Sequence, residues 1–558
     1  MKDKLIVQIK DAVKKHFGVD VEPEVSCPDS EFGDYTTNVA MKISKDLGMN
    51  PREIAEVLAE QLRDSSISNA EIAGPGFINL TLSDTALLGL LKADPVKPLA
   101  GKTVVAEYSD PNPFKVLHAG HLYTSLVGDA IARLLDNAGA TVRRVNFGGD
   151  VGLHVGKAMW AILEKLGGEH PIKLDEIEES QRLVWVSERY VEGSTAYDED
   201  EAVKLAIVEI NKKVYKLHED NDHETNFAQI YWICRQWSYD GFNALYERLG
   251  MVPFDKYYPE SLTTPVGMKA VQASLDSGVL ERSDGAVVFI GENSGLHTRV
   301  FMTSTGLPTY EAKDLGLAVS KWEDYHFDHS IMITGNDIIE YMKVVMAVLN
   351  RLNPEVAERT NHLTHGMIRL AGGAKMSSRK GSILRASDVL DAAARANHAA
   401  TGKVQPRTVL GAVKYAFLKQ RIGGDIIYDP AESVALEGNS GPYLQYAYAR
   451  ARSILSKASA PVSQITELEN LGLQDGERLL ARKLSQYDEI VELATVELMP
   501  HHICTFLYEL AQEFNRFYEK NRVIDDPRQD MRLSLVHEYA DKLKSGLSLL
   551  GIESPEQM

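Results

Sequence analysis

Apolar residues open the chain at helical spacing: Leu5, Ile6, Ile9, Val13 and Phe17 form one stripe of an amphipathic helix. The turn Gly74-Pro75-Gly76 then gives way to strict alternation over Phe77-Ile78-Asn79-Leu80-Thr81-Leu82, the period of a half-buried strand. These patterns predict a small α+β domain over 1–98, closed by a linker that carries Pro95 and Pro98. A new rhythm starts at Lys102. Residues 103–108 (TVVAEY) read as a buried strand, SDPNPFK as a loop, HLYTSLVGDAIARLLDNAG as a helix ending at Gly139, and residues 141–147 as a second strand. Strand, helix, strand at this spacing is the βαβ unit of a parallel sheet. A helical stretch over about 160–260 interrupts it as an insertion, and strand signals return at 286–290 and 330–334. Beyond 430 the pattern is helical throughout, which predicts an all-helical domain over 431–558.

Bulk properties narrow the class. A chain of 558 residues with 44% hydrophobic and 25% charged residues is an ordinary globular protein of several domains. No stretch approaches the ~18 apolar residues that cross a bilayer, and the N-terminus lacks a signal-peptide core, so the expectation is a cytoplasmic protein with no membrane partner. Three cysteines without a CxxC pair argue against a cysteine-based zinc or redox site. The net charge of −19 argues against a nucleic-acid partner, but it is unevenly spread. Residues 169–224 hold sixteen acids and seven Lys/Arg, whereas 361–424 hold eleven Lys/Arg and two acids. A local basic face survives on an acidic chain.

The candidate chemistry sits in residues 118–121, HAGH, where the first strand hands over to its helix. In open parallel sheets ligands bind beyond the carboxyl ends of the strands, and the free N–H groups of the following helix favour phosphate. Gly120 lets a flat base or a phosphate approach the backbone, while His118 and His121 offer hydrogen bonds to oxygens that gain charge during attack at phosphorus. A second motif, AGGAKMSSRKGS over 371–382, describes a cationic, hydroxyl-rich loop suited to a triphosphate. The two motifs resemble those of the class I aminoacyl-tRNA synthetases, and within that class the likeness is to the arginyl family. EYSDPNPFKVLHAGH, GGDVGLH, TYEAKDLG, KMSSRKG and EGNSGPYLQYAYARARSIL carry it, joined by the N-terminal FGDYTTNVAMKISKDLGMNPREIAEVLA and AGPGFINLTLS.

The resemblance implies a Rossmann-type catalytic domain over 99–360, a loop and basic connector over 361–430, an N-terminal tRNA-contacting domain and a C-terminal anticodon-binding domain. It implies ATP and Mg²⁺ as cofactors, the metal carried by ATP without protein ligands, and L-arginine and tRNA(Arg) as partners of a monomeric enzyme. By the same resemblance, His118, His121, Lys115 and Lys375 supply charge in catalysis, and Pro111, Asn112, Gly120, Met376, Ser377 and Ser378 bind ATP. Glu107, Asn112, Tyr310 and Asp314 bind arginine. That set suits a guanidinium, whose planar donor fork pairs with carboxylates. Tyr443, Gln445 and Tyr446 are the candidates for an anticodon surface, since exposed bases stack on aromatic rings.

Three departures from the family pattern matter. Ser378 stands where the fuller loop motif has a second lysine, and Lys115, three residues before His118, is the expected replacement for that charge, with Arg379 and Lys380 as alternatives. Val151 and His154 replace a Trp and a Gln in GGDVGLH, and Ile338 replaces a commonly polar residue, leaving Asn336 and Asp337 as the matches in that segment. The readings kept beside the leading one are a class I synthetase for another amino acid, a catalytically silent tRNA-binding paralogue and a smaller nucleotidyltransferase.

Overall fold

The structure, a computed structural model, describes residues 1–92, 94–371, 384–458 and 471–558. Its centre is a five-stranded, wholly parallel sheet made of β1 (Thr103–Glu107), β2 (Thr141–Gly148), β3 (Lys256–Pro259), β4 (His329–Gly335) and β5 (Thr360–His365), in the order β5-β4-β1-β2-β3. The order reverses at β1, between β2 and β4, and this is where an open parallel sheet forms its ligand crevice. Helix α1 (Ala119–Asn137) follows β1 and is buried almost all round, with Leu122, Leu126, Ile131 and Leu134 in the core. It comes close to β1 because Gly128 has no side chain; a Cβ there would lie 2.1 Å from the Tyr108 ring. Helix α2 (Tyr310–Tyr325) runs back under the sheet to enter β4.

The insertion between β2 and β3 is built of helices Leu153–Leu166, Arg182–Glu199, Glu201–Glu219 and Asn226–Arg248. The strand predicted at 286–290 forms as Ala286–Phe289, but it joins a separate three-stranded antiparallel sheet with Glu281–Ser283 and Arg299–Met302. Strand β5 lies across the boundary expected at 360, and β3 lies inside the stretch expected to be helical. Neither edge strand has the apolar run that marks a buried strand, because each has one unpaired side.

The N-terminal helix forms as Lys2–Phe17, burying Leu5, Ile9 and Val13, and the alternating segment forms as Phe77–Leu82 in a four-stranded antiparallel sheet. The C-terminal part is helical, with Gly441–Leu455, Asp475–Ser485, Tyr487–Glu497, His501–Lys520 and Gln529–Leu549. Arg478 joins it to the N-terminal domain through Asp34 (2.7 Å) and Asp84 (2.6 Å). Asp34 is buried, so this link draws more from the pairing than an exposed ion pair does.

Candidate active site

The crevice is shaped by a strained loop. In SDPNPF, Ser109, Asp110 and Phe114 have φ of 76°, 50° and 68°, a left-handed conformation that costs a non-glycine residue about 1–3 kcal/mol. Side chains from elsewhere hold it. The Phe114 N–H donates to Ser238 Oγ (3.0 Å) and the Val116 N–H to Ser187 Oγ (3.2 Å), while Asp110 Oδ1 accepts from the Phe147 N–H (2.8 Å). Asn112 Oδ1 accepts from the Gly149 N–H (2.7 Å), which ties the loop to the end of β2. Pro111 is buried against Gly148, where a Cβ would fall 2.8 Å from the Pro111 carbonyl oxygen.

His118 and His121 cap α1 reciprocally. The His121 N–H donates to His118 Nδ1 and the His118 N–H to His121 Nδ1, both at 3.3 Å, and the rings stack with centroids 3.7 Å apart. A nitrogen that accepts a backbone N–H carries no proton, so each neutral ring holds its proton on Nε2. Burial, followed by the Lys115 charge, pulls His118 down to about 4. His121 is held well below the usual histidine range by burial, its neighbour His118 and Lys115. Both are therefore neutral hydrogen-bond donors near pH 7. Gly120 is required between them: a Cβ would lie 2.8 Å from the His118 ring. The Lys115 ammonium rests over the Tyr190 ring of the insertion, 4.3 Å from its centroid.

At the other wall, Glu107 ends β1 and is buried, paired with the buried Lys321 of α2. Asp314, two turns earlier on α2, accepts from Tyr341 Oη (2.6 Å). Burial first, then the Glu107 and Glu260 charges, raise Asp314 to about 7 against the lowering effect of the Tyr341 hydrogen bond. Asp110 is pushed well up by burial and by Glu107. Tyr310, the first residue of α2, is exposed, with the Lys313 ammonium 5.4 Å from its ring centroid. Lys313 itself is buried against Glu260.

Asp150 of GGDVGLH is an architectural anchor. Fully buried, it accepts from the Ser261 N–H (2.8 Å), Ser261 Oγ (2.7 Å) and Arg235 Nε (3.0 Å), joining β2, β3 and the insertion. Val151 is a core residue, and His154 Nε2 meets the Gly149 carbonyl at 2.7 Å. Asn336 and Asp337 are exposed at the end of β4. Lys375, Met376, Ser377 and Ser378 lie outside the described residues. The described chain that resumes at Leu384 pairs directly with the histidine motif: Leu384 accepts from the Ala119 N–H (2.8 Å) and Leu117 from the Ala386 N–H (2.9 Å).

The family model described as tRNA synthetases class I (R), catalytic domain, matches residues 87–428. The chain belongs to this arginyl class I family. The arginyl tRNA synthetase N-terminal domain matches residues 3–82 and the DALR anticodon-binding domain residues 444–558. An arginine–tRNA ligase of Porphyromonas gingivalis is 31% identical over 98% of both chains. One from Crocosphaera subtropica is 30% identical over 100% of this chain and 99% of its own. The arginyl-tRNA synthetase structure from Thermus thermophilus superposes over the whole of both chains with a TM-score of 0.81 at 25% identity.

In the DALR domain of this family member, Tyr446 is exposed and Tyr443 half-buried, its hydroxyl accepting from Asn515 Nδ2 (2.9 Å). The expectation for Gln445 needs correcting. Its side chain is fully buried and its amide donates to the carbonyls of Glu553 (2.9 Å) and Arg407 (3.3 Å), so it binds the C-terminal tail to the helices and presents nothing to RNA. A helix shows one stripe to the core, and the GPYLQYAY sequence does not reveal which residue the stripe includes.

Site residues missed from sequence are Lys321, Asp110, Tyr341 and the Lys313–Glu260 pair. Lys321 is seven residues after Asp314 and so on the same helical face, which was the available signal. Its burial is a property of the folded neighbourhood.

Proposed function

We propose that the protein ligates L-arginine to tRNA(Arg) in two steps, an in-line attack of the arginine carboxylate on the α-phosphate of ATP and transfer of the acyl group to the terminal adenosine 2′-hydroxyl. The observation that carries this reading is a pair of carboxylates, buried Glu107 at the end of β1 and half-buried Asp314 on α2, both close enough to Asp110 to act on its charge, at the strand-order reversal from which the loop leads to the capped histidines. Asn112 has given its Oδ1 to Gly149, which leaves its amide hydrogens for the substrate carboxylate. His118 and His121 direct Nε2–H groups at the phosphate oxygens, a fixed-dipole stabilisation that needs no proton transfer. Gly120 and Pro111 border the nucleotide, and Met376, Ser377 and Ser378 are assigned to binding it as well. Lys115 and Lys375 neutralise the departing pyrophosphate. Mg²⁺ is assigned to the ATP phosphates, whose charge it screens. The enzyme is read as a cytoplasmic monomer; among the described residues no helix is long and apolar enough to cross a membrane. Domains over 1–98, 99–360, 361–430 and 431–558 divide the work, the basic connector tracking tRNA phosphates and Tyr443 and Tyr446 meeting the anticodon loop.

The direct test is exchange of labelled pyrophosphate into ATP with total tRNA present. Arginine alone supports it on this reading; support by a different amino acid and not arginine would refute the pocket assignment. Lys115→Ala is expected to slow exchange about tenfold with little change in arginine KM, because its charge acts on the phosphates. Unchanged exchange would remove Lys115 from the mechanism.

Asp314 gives a pH dependence. Raised to about 7, it is protonated below that pH in the empty site. A guanidinium favours its ionised form, so binding releases the proton. Arginine KM is expected to rise as pH falls below 7, by up to about tenfold per unit. A flat KM between pH 8 and pH 6 would place Asp314 outside the pocket.

A further inference from the structure

Glu107 does not stand alone beneath the arginine crevice. Lys321, on α2, is 1% exposed at its side chain and donates both to Glu107 and to Ser330 Oγ (3.3 Å). The sheet register places that ammonium. Met332 of β4 lies beside Glu107, and Ser330 lies beside Val105, two residues further from the carboxyl edge. Bonded to both, Lys321 meets the Glu107 carboxylate from the side of Ser330, away from the carboxyl edge of the sheet. Asp314 sits two turns nearer the helix N-terminus, about 10 Å along the axis and toward the crevice.

The charges around the pair can be tallied from each packed element. Burial and the Glu107 charge push Asp110, on the loop after β1, toward its neutral form. His362 of β5 is lowered by burial and is neutral. Tyr341 donates to Asp314, and Lys313 neutralises Glu260. With Asp314 ionised, as a bound guanidinium favours, two carboxylates, Glu107 and Asp314, stand against one ammonium. The crevice is short of one positive charge, and a single guanidinium supplies it.

We propose that Lys321 is a specificity-determining positioning residue, a built-in counter-ion that holds the Glu107 carboxylate in place and offsets its charge so that the site accepts one cationic side chain. This rests on the arginine reading above. Without Lys321, the negative charges of Glu107 and Asp314 would act on one another unopposed, protonation would be favoured in the site, and arginine would then have to displace a proton.

The test uses the full-length enzyme with tRNA and ATP, measuring kcat/KM for arginine from pH 6 to 9. Lys321→Met is expected to move the acid limb of the profile alkaline by at least one unit and to raise arginine KM at pH 7 about tenfold. The KM for ATP and kcat at saturating arginine should change less than threefold. Lys321→Arg restores the cation and should return the limb to its original position. Lys321→Gln keeps a donor without the charge; it should shift the limb as the Met variant does, and serves if that variant fails to fold. A limb that stays in place in a folded Met or Gln variant overturns the proposal, as does an Arg variant that shows the same shift. If the unaltered enzyme charges tRNA with an amino acid other than arginine, the reading of the pocket fails and this inference with it; if it charges arginine and the limb does not move, only the inference fails.

Discussion

Asp314→Asn is expected to lower kcat/KM for arginine by about 10²–10³-fold while leaving the KM for ATP within about threefold. Asparagine keeps the shape and can still accept from Tyr341, so the change removes charge alone. Removing one member of a buried, hydrogen-bonded charge pair costs about 3–5 kcal/mol, and each 1.4 kcal/mol is about tenfold. The free protein should melt at the same or a slightly higher temperature, since a buried carboxylate without its ligand is a liability. Steady-state charging at varied arginine, with a melting curve beside it, checks both statements. A loss that falls on ATP instead would mean that α2 lines the nucleotide site.

The second large effect concerns the histidines. His118→Asn and His121→Gln are chosen because asparagine is a good helix N-cap and glutamine at the third helical position reaches back to the cap N–H. Each variant can keep the reciprocal cap of α1 and lose an imidazole Nε2–H. We expect kcat to fall about 10²–10³-fold in each, the cost of removing a fixed donor from a developing charge, with stability changed by less than about 1 kcal/mol. Since burial and Lys115 pull His118 down to about 4 and hold His121 well below the usual histidine range, neither should produce a limb in kcat between pH 6 and 8. Rapid-quench measurement of adenylate formation separates this loss from tRNA binding. Full activity in either variant would show that the ring is a cap and nothing more.

How far the chain could be read depended on whether a feature was local. The β1–α1–β2 unit and the strand Phe77–Leu82 follow from periodicity and turn residues, and they form within two residues of the expected limits. Strand β3, KYYP, and β5, TNHLTH, carry no apolar run, because an edge strand need not be buried on both faces, so two of the five sheet strands were invisible. The apolar 286–289 segment was legible as a strand, but only the fold shows that it pairs antiparallel, outside the central sheet. HAGH, Glu107 and Asp314 could be named because motif and chemistry agreed. Lys321 could not: a lysine on a helix is ordinarily solvated, and only the register of β4 against β1 shows that this one is buried beneath a carboxylate. Gln445 failed for the opposite reason, since Tyr443 and Tyr446 on either side are half-buried and exposed respectively, while its own side chain faces the C-terminal tail.

The most direct measurement of the central claim is charging of unfractionated tRNA by the purified protein with ATP, Mg²⁺ and each labelled amino acid in turn. Incorporation of arginine alone is the predicted result. Incorporation of another amino acid, or tRNA binding with no charging at all, would contradict it.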